Sequence, residues 1–285
     1  MSKKFNSQLK IALTALFLLL PTSVKALEVE ITPTNPQLGD TISVLIATDN
    51  PDQIPKVSLN QQNYPVFLLN NGYRALLPTS PLDQSGKLTI QVTGDGESKN
   101  LAVWLGDRTF PVQRITLSGK ADRPATELEL KRVAELKQLV TPTKYWLGSF
   151  LRPNNNQIST VYGVRRYYNG VFAQDYYHKR CRRYAGGYGS PVVAPAAGKI
   201  TLVGKEAAGF HVHGNVVGID HGQGVVSLFM HLQDINVKEG DMVQPGQLIG
   251  TVGATGASTG PHLHWGLYVN EVSVDPVPWR FNAIE

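Results

Sequence analysis

The stretch Ser258-Thr259-Gly260-Pro261-His262-Leu263-His264-Trp265 sets a turn-forming Gly-Pro pair ahead of a segment in which polar and apolar residues alternate. Alternation of period two is the signature of a strand. It puts His262 and His264 on one face, roughly 6.5–7 Å apart, and Leu263 and Trp265 on the other. Two imidazoles at that spacing address one small site, so the same eight residues announce both a β fold and a place for chemistry. Taken alone, a His-x-His pair on a strand is commonly just solvated, and its meaning depends on what surrounds it.

Outward from this stretch the pattern stays β. Apolar segments recur at 192–194, 200–203, 216–219, 225–230, 248–252 and 265–269, with Gly198, Gly214, Gly222, Gly240, Gly246 and Gly253 in the gaps. Many short strands with turn signals and almost no helix describe a compact antiparallel β domain. Toward the N-terminus, Leu27/Val29/Ile31, Ile42/Val44/Ile46, Leu88/Ile90/Val92 and Leu101/Val103/Leu105 repeat the half-buried alternation, separated by turns such as Asn70-Asn71-Gly72 and Gly94-Asp95-Gly96. Their spacing is that of an immunoglobulin-like β-sandwich. Between the two halves, Pro124 suits a helix start, and Leu130, Val133, Leu136 and Leu139 form one broad face before Pro142. The expected fold is therefore mainly β: an N-terminal β-sandwich accessory domain over 27–117, a helical connector over 118–150 and a compact antiparallel β domain over 151–285.

The first 26 residues read as a cleavable export signal. Lys3, Lys4 and Lys10 precede an apolar run over 11–20 that is too short to span a bilayer, and Val24-Lys25-Ala26 offers a peptidase site. The implied location is periplasmic or secreted, with no stable membrane anchor after cleavage. Loss of Lys3, Lys4, Lys10 and Lys25 lowers the formal charge from +5 to +1, so no basic nucleic-acid surface is indicated. The single cysteine, Cys181, has no partner for an internal disulfide, which is unusual for an exported chain.

All seven histidines fall between His178 and His264. Histidine is the commonest zinc ligand and a frequent general base, so a cluster of this kind suggests a metal site. His231 follows the apolar run 225–230, where a strand delivers a side chain to a groove. His211-Val212-His213, bounded by Gly209 and Gly214, reads as structural or as rim.

The segment from Thr160 to Trp279 resembles the lysostaphin/LytM type of zinc metallopeptidase. The motifs that carry the resemblance are Val161-Tyr162-Gly163-Val164-Arg165, Tyr177-His178-Lys179, Gly189-Ser190-Pro191-Val192-Val193-Ala194-Pro195, Met230-His231-Leu232, Glu239-Gly240-Asp241, Gly246-Gln247-Leu248-Ile249-Gly250 and Thr259-Gly260-Pro261-His262-Leu263-His264. The resemblance implies a zinc endopeptidase acting on peptidoglycan peptides. It places His178 and His264 on the metal, together with an aspartate four residues after His178, and assigns His231 and His262 to the attacking water. Three protein ligands with one open position are what a hydrolytic zinc requires.

The aspartate is missing. Four residues past His178 stands Arg182, in the run His178-Lys179-Arg180-Cys181-Arg182-Arg183-Tyr184, which is also one residue longer than the family pattern His-x-Gly-x-Asp. Arginine cannot bind zinc and repels it, and Asp175 is the nearest acidic residue in sequence. Codons GGT-GTA-GAC for Gly-Val-Asp, read after one extra C, give CGG-TGT-AGA, which matches Arg180-Cys181-Arg182. A compensated frame disturbance accounts for the lost aspartate, the extra residue and the cysteine together. The sequence therefore supports a wall endopeptidase with one ligand absent and, as its alternative, a non-catalytic LytM-type module that binds peptidoglycan or activates other wall hydrolases. A carrier-like β domain, suggested by Glu239-Gly240-Asp241 and Gly246-Gln247, ranks below both because it lacks an acceptor lysine at a tight turn.

Overall fold

The structure, a computed structural model, describes residues 27–48, 53–70, 72–115, 123–168, 170–172, 182–282 and 284. The expected export signal, His178, Asp175 and Cys181 lie outside the described residues. No described helix is long and apolar enough to cross a membrane.

The chain begins with β1 (Glu28–Thr32), β2 (Thr41–Ala47), β3 (Lys56–Leu59), β4 (Gln62–Tyr64), β5 (Val66–Leu69), β6 (Gly72–Pro78), β7 (Gly86–Gly94), β8 (Glu97–Leu105) and β9 (Val112–Ile115). Eight of them form two antiparallel sheets, in the orders β1-β2-β6-β5 and β4-β3-β7-β8. Alternate side chains of each sheet point inward, so Ile42, Val44 and Ile46 meet Leu88, Ile90 and Val92 in one core. The expected turn at Asp95-Gly96 closes β7 onto β8 with φ of 51° and 76°, the two positive values that a tight two-residue hairpin needs.

The helix α1 (Glu127–Lys137) starts at a capping box: Thr126 accepts the Glu129 N–H, and the Glu129 carboxylate accepts the Thr126 N–H. Of its expected apolar face, Val133 and Leu136 are buried, but Leu130 is 41% exposed and Glu129 is fully buried. The helix is therefore rotated about its axis relative to the sequence expectation. A carboxylate turns inward because it finds hydrogen-bond donors there.

The second half contains β10 (Gln157–Thr160), β11 (Arg165–Tyr168), β12 (Val171–Phe172), β13 (Arg182–Ala185), β14 (Pro191–Val193), β15 (Gly198–Gly204), β16 (Asn215–Gly222), β17 (Val225–Ile235), β18 (Met242–Val243), β19 (Leu248–Val252), β20 (His262–Val269) and β21 (Val272–Val274). Its main sheet runs β10-β13-β20-β17-β16-β15-β18, with β14 paired to β19 and β21 to β20. Both faces are covered. Val225, Phe229, Trp265 and Leu267 pack into the largest core, whereas Val226, Leu228, Met230 and Tyr268 pack with Val133 and Leu136 of α1. Double burial explains why residues 225–230 read as a continuous apolar run rather than an alternation. At Gly218 of β16, a Cβ would lie 2.6 Å from Leu136, so glycine lets the helix approach the sheet.

The two halves interlock. Tyr162 lies in the sandwich core and donates its hydroxyl to the Ser273 carbonyl at 2.7 Å, Leu76 of β6 lies in the large core of the second half, and Asn270 donates to the Leu76 carbonyl at 2.8 Å. Arg108 pairs with the buried Asp275 at 2.7 Å. The strand β9 leaves the sandwich and pairs in parallel with β11.

Candidate functional site

His262 and His264 occupy the first turns of the ladder on β20, on the face opposite Leu263 and Trp265, as the alternation requires. The neighbouring strand β17 brings His231 to them by an irregularity. Along β17, Val225 and Phe229 face the large core and Val226, Leu228 and Met230 face α1. At the next residue the register with β16 shifts and His231 takes φ of +62°. A bulge of this kind re-aims one side chain without ending the strand, which runs on to Ile235 rather than stopping at 230.

Three side-chain donors result. The imidazoles of His231, His262 and His264 offer ligand atoms that all lie within 4.8 Å of one another, and the residues are 1%, 7% and 0% exposed. The His231 ring is centred 4.7 Å from His262 and 5.9 Å from His264. Two rings are oriented by backbone carbonyls: His231 Nδ1–H donates to Thr255 at 2.9 Å, and His262 Nδ1–H donates to Gly260 at 2.8 Å. That leaves Nε2 of each as the basic nitrogen, the tautomer that a ligand or proton acceptor requires. Burial pushes the His262 pKa down, with the charges of Arg183 and Arg166 acting in the same direction against the Gly260 hydrogen bond. His262 is therefore neutral near pH 7.

The bulge is held from behind by His213 and, through it, by Glu129, which the sequence did not single out. The His231 N–H donates to the His213 carbonyl at 3.0 Å. His213 in turn donates its own N–H and its Nδ1–H to Glu129 of α1, each at 2.6 Å, and the Val212 N–H adds a third bond at 3.0 Å. His213 thus has the structural place anticipated for the second His-x-His pair. The sequence reading placed only Leu130, Val133, Leu136 and Leu139 on the helix face, and nothing there showed that Glu129 turns inward.

His221 is a satisfied core histidine. Its Nδ1 bonds the Ala197 carbonyl and its Nε2 bonds Ser227 Oγ, both at 2.9 Å, and burial pushes its pKa down to about 4.

The register of β13 changes the position of the missing carboxylate. Arg183, not Arg182, is the cross-strand partner of His264, whereas Arg182 pairs with Trp265 and Tyr184 with Leu263. Directly opposed residues share a face. Counting forward from His178 pointed to Arg182; the ladder instead puts Arg183 on the face of His264.

Whether zinc fits can be judged from this donor set. Three imidazoles are suitable in kind, and donors around a tetrahedral zinc stand about 3.3 Å apart, so modest closure would suffice. The charges are unsuitable. No carboxylate joins the group among the described residues, and two guanidiniums stand near it. As built, the described residues make an incomplete zinc site.

The antiparallel β domain thus carries a convergent histidine cluster on two adjacent strands inside its main sheet. Residues 178–276 match peptidase family M23, and the chain carries a domain of that family. Over 94 residues it is 45% identical to "DD-carboxypeptidase/endopeptidase Mpg" of Neisseria meningitidis serogroup B, a match covering 33% of this chain and 21% of that protein. It is 38% identical over 92 residues to "Peptidoglycan DD-endopeptidase ShyC" of Vibrio cholerae, covering 31% and 21%. The match thus spans about a fifth of the length of these curated relatives. The crystal structure of a putative peptidase M23 from Pseudomonas aeruginosa shares the fold more widely, with a TM-score of 0.62 over 86% of this chain and 95% of that one, at 24% identity.

Proposed function

We propose that this chain is an exported zinc metalloendopeptidase that hydrolyses peptide bonds in bacterial peptidoglycan, with one metal ligand replaced. The observation that supports it is the convergence of His231, His262 and His264 from two strands and a bulge. In this reading His178 and His264 hold zinc, and His231 and His262 handle protons. Zinc, when bound, polarises water and the peptide carbonyl. The Nε2 atoms of His231 and His262 would accept a proton and return it to the leaving amine. The relatives named for peptidoglycan endopeptidase activity support the substrate class, and the N-terminal signal supports a periplasmic or secreted location.

A second reading, a non-catalytic module that binds wall peptides or activates other hydrolases, is favoured by Arg183 standing opposite His264. Zinc content and hydrolysis of purified peptidoglycan separate the two. The chain as it stands should bind zinc weakly and cleave little. Replacing Arg180-Cys181-Arg182-Arg183 with Gly-Val-Asp, one residue shorter, should recover both together. Strong cleavage by the unaltered chain would mean that another group, such as Asp175, supplies the ligand. Failure of the restored chain to bind zinc would support the non-catalytic module.

A further inference from the structure

The outer face of the sheet β4-β3-β7-β8 carries a row of neutral polar side chains across all four of its strands. Asn63 pairs with Ser58, Ser58 with Gln91 and Gln91 with Asn100, so the four share one face, opposite the core residues Val57, Ile90 and Val92. A groove of about 380 Å³ opens there, lined by Ser58, Asn60, Gln61, Thr89, Gln91 and Asn100. No charged side chain lines it. Along β8 the same face continues from Asn100 through the small Ala102 to Trp104, which is 67% exposed and stands across the ladder from Lys87. Four residues of strand set Asn100 and Trp104 roughly 13 Å apart.

The lining is built rather than merely solvated. Asn60 and Gln61 form the two-residue turn between β3 and β4, with φ of 47° and 72°. Such a turn takes asparagine readily at its first position and glycine at its second. At the second position Gln61 keeps a long amide on the groove at a cost in backbone strain. Two neighbouring amides are oriented by the sheet: Asn60 Oδ1 accepts the Thr89 N–H at 3.0 Å, and Gln91 Nε2 donates to Ser98 Oγ at 3.3 Å.

We propose that this face binds an uncharged glycan chain, with one sugar ring stacked on Trp104 and the polar groups of the following rings hydrogen-bonded by Gln61, Gln91 and Asn100. A side-chain amide offers donors and an acceptor in one plane, which adjacent sugar hydroxyls and acetamido groups complement. An exposed indole adds a broad apolar face at a small entropic cost. An anionic polymer or a charged peptide would find no partners for its charges in this lining. That the glycan is the N-acetylhexosamine strand of the bacterial wall rests on the proposed function. That the face takes sugar does not, since it lies on the N-terminal sandwich and uses none of the histidines.

The full chain is titrated calorimetrically with the tetramer of N-acetylglucosamine, and iodide quenching of tryptophan fluorescence is read alongside. Of the four tryptophans Trp104 is the exposed one, so protection from iodide on adding the tetramer locates the sugar. Trp104→Ala should weaken binding about tenfold, and Asn100→Ala roughly threefold. Gln61→Gly should weaken binding by about threefold while raising the urea midpoint, because glycine relieves the turn and removes the amide. A purely structural glutamine would change the midpoint alone. Cellotetraose, which lacks acetamido groups, should bind less tightly than the tetramer. Absence of protection at millimolar tetramer would overturn the glycan face, as would binding that survives both Trp104→Ala and Gln61→Gly. Protection by N-acetyl-alanyl-alanine amide but not by the tetramer would show a peptide-binding face instead. Tetramer binding lost in His262→Ala and kept in Trp104→Ala would move the sugar to the histidines and equally overturn the inference. A chain that neither binds zinc nor cleaves peptidoglycan still reports this binding, so the glycan face and the peptidase reading fail separately.

Discussion

The Glu129 carboxylate and the His213 imidazole meet at 2.6 Å in a fully buried contact that ties the connector helix to the loop behind His231. Burial alone would raise the Glu129 pKa, but the side-chain bond and charge of His213 and the N–H groups of His213 and Val212 outweigh it, and the net shift is downward. A depressed carboxylate contributes stability above its ordinary value and loses it as pH falls through the folded value.

Glu129→Gln should therefore destabilise the chain by about 2 kcal/mol at pH 7, because it removes a charge-assisted bond and leaves a buried imidazole short of its acceptor. Glu129→Ala should cost more. Urea denaturation read by tryptophan fluorescence measures both, and a loss below about 0.5 kcal/mol would show that the contact holds nothing in place.

The face of β13 decides which single substitution restores a metal ligand. Arg183→Asp should raise zinc affinity at least about tenfold, because the carboxylate stands on the His264 side of the ladder and a repelling charge is removed. Arg182→Asp should not. Competition with a chelating dye reads both, and an equal gain from Arg182→Asp would place the ladder register in error.

In the chain restored with Gly-Val-Asp, the histidines should divide into two classes. His264→Ala should abolish zinc binding, whereas His231→Ala and His262→Ala should keep the metal and lower the rate of peptidoglycan hydrolysis by roughly 10²–10⁴-fold, as expected for groups that move protons. Loss of zinc on His231→Ala would instead make His231 a ligand.

His221 gives the fold an acid-sensitive point. Its folded pKa of about 4 lies below the ordinary histidine value of 6.5, so the unfolded chain binds the extra proton first as pH falls. Its contribution is fully present above pH 6.5, declines between 6.5 and 4, and amounts to on the order of 3 kcal/mol over that window. Urea midpoints at pH 7.5 and pH 5 should differ less in His221→Gln than in the parent; identical differences would remove His221 from the account.

Much of this protein was legible in its residues because strand alternation is local. The apolar segments at 200–203, 216–219, 248–252 and 265–269 lie in strands, and His262 and His264 share a face for the reason that neighbouring residues on any strand point opposite ways. A mainly β architecture, the shared face of His262 and His264 and an arginine in place of the expected aspartate could be read from the residues alone. How distant elements meet depends on tertiary packing. The bulge at His231, the inward turn of Glu129 and the placing of Arg183 opposite His264 each depend on a partner far away in the chain. A one-residue slip reverses every side chain on a strand, so counting from His178 could not reveal which arginine shares the face of His264; the hydrogen-bonded ladder between β13 and β20 fixes it.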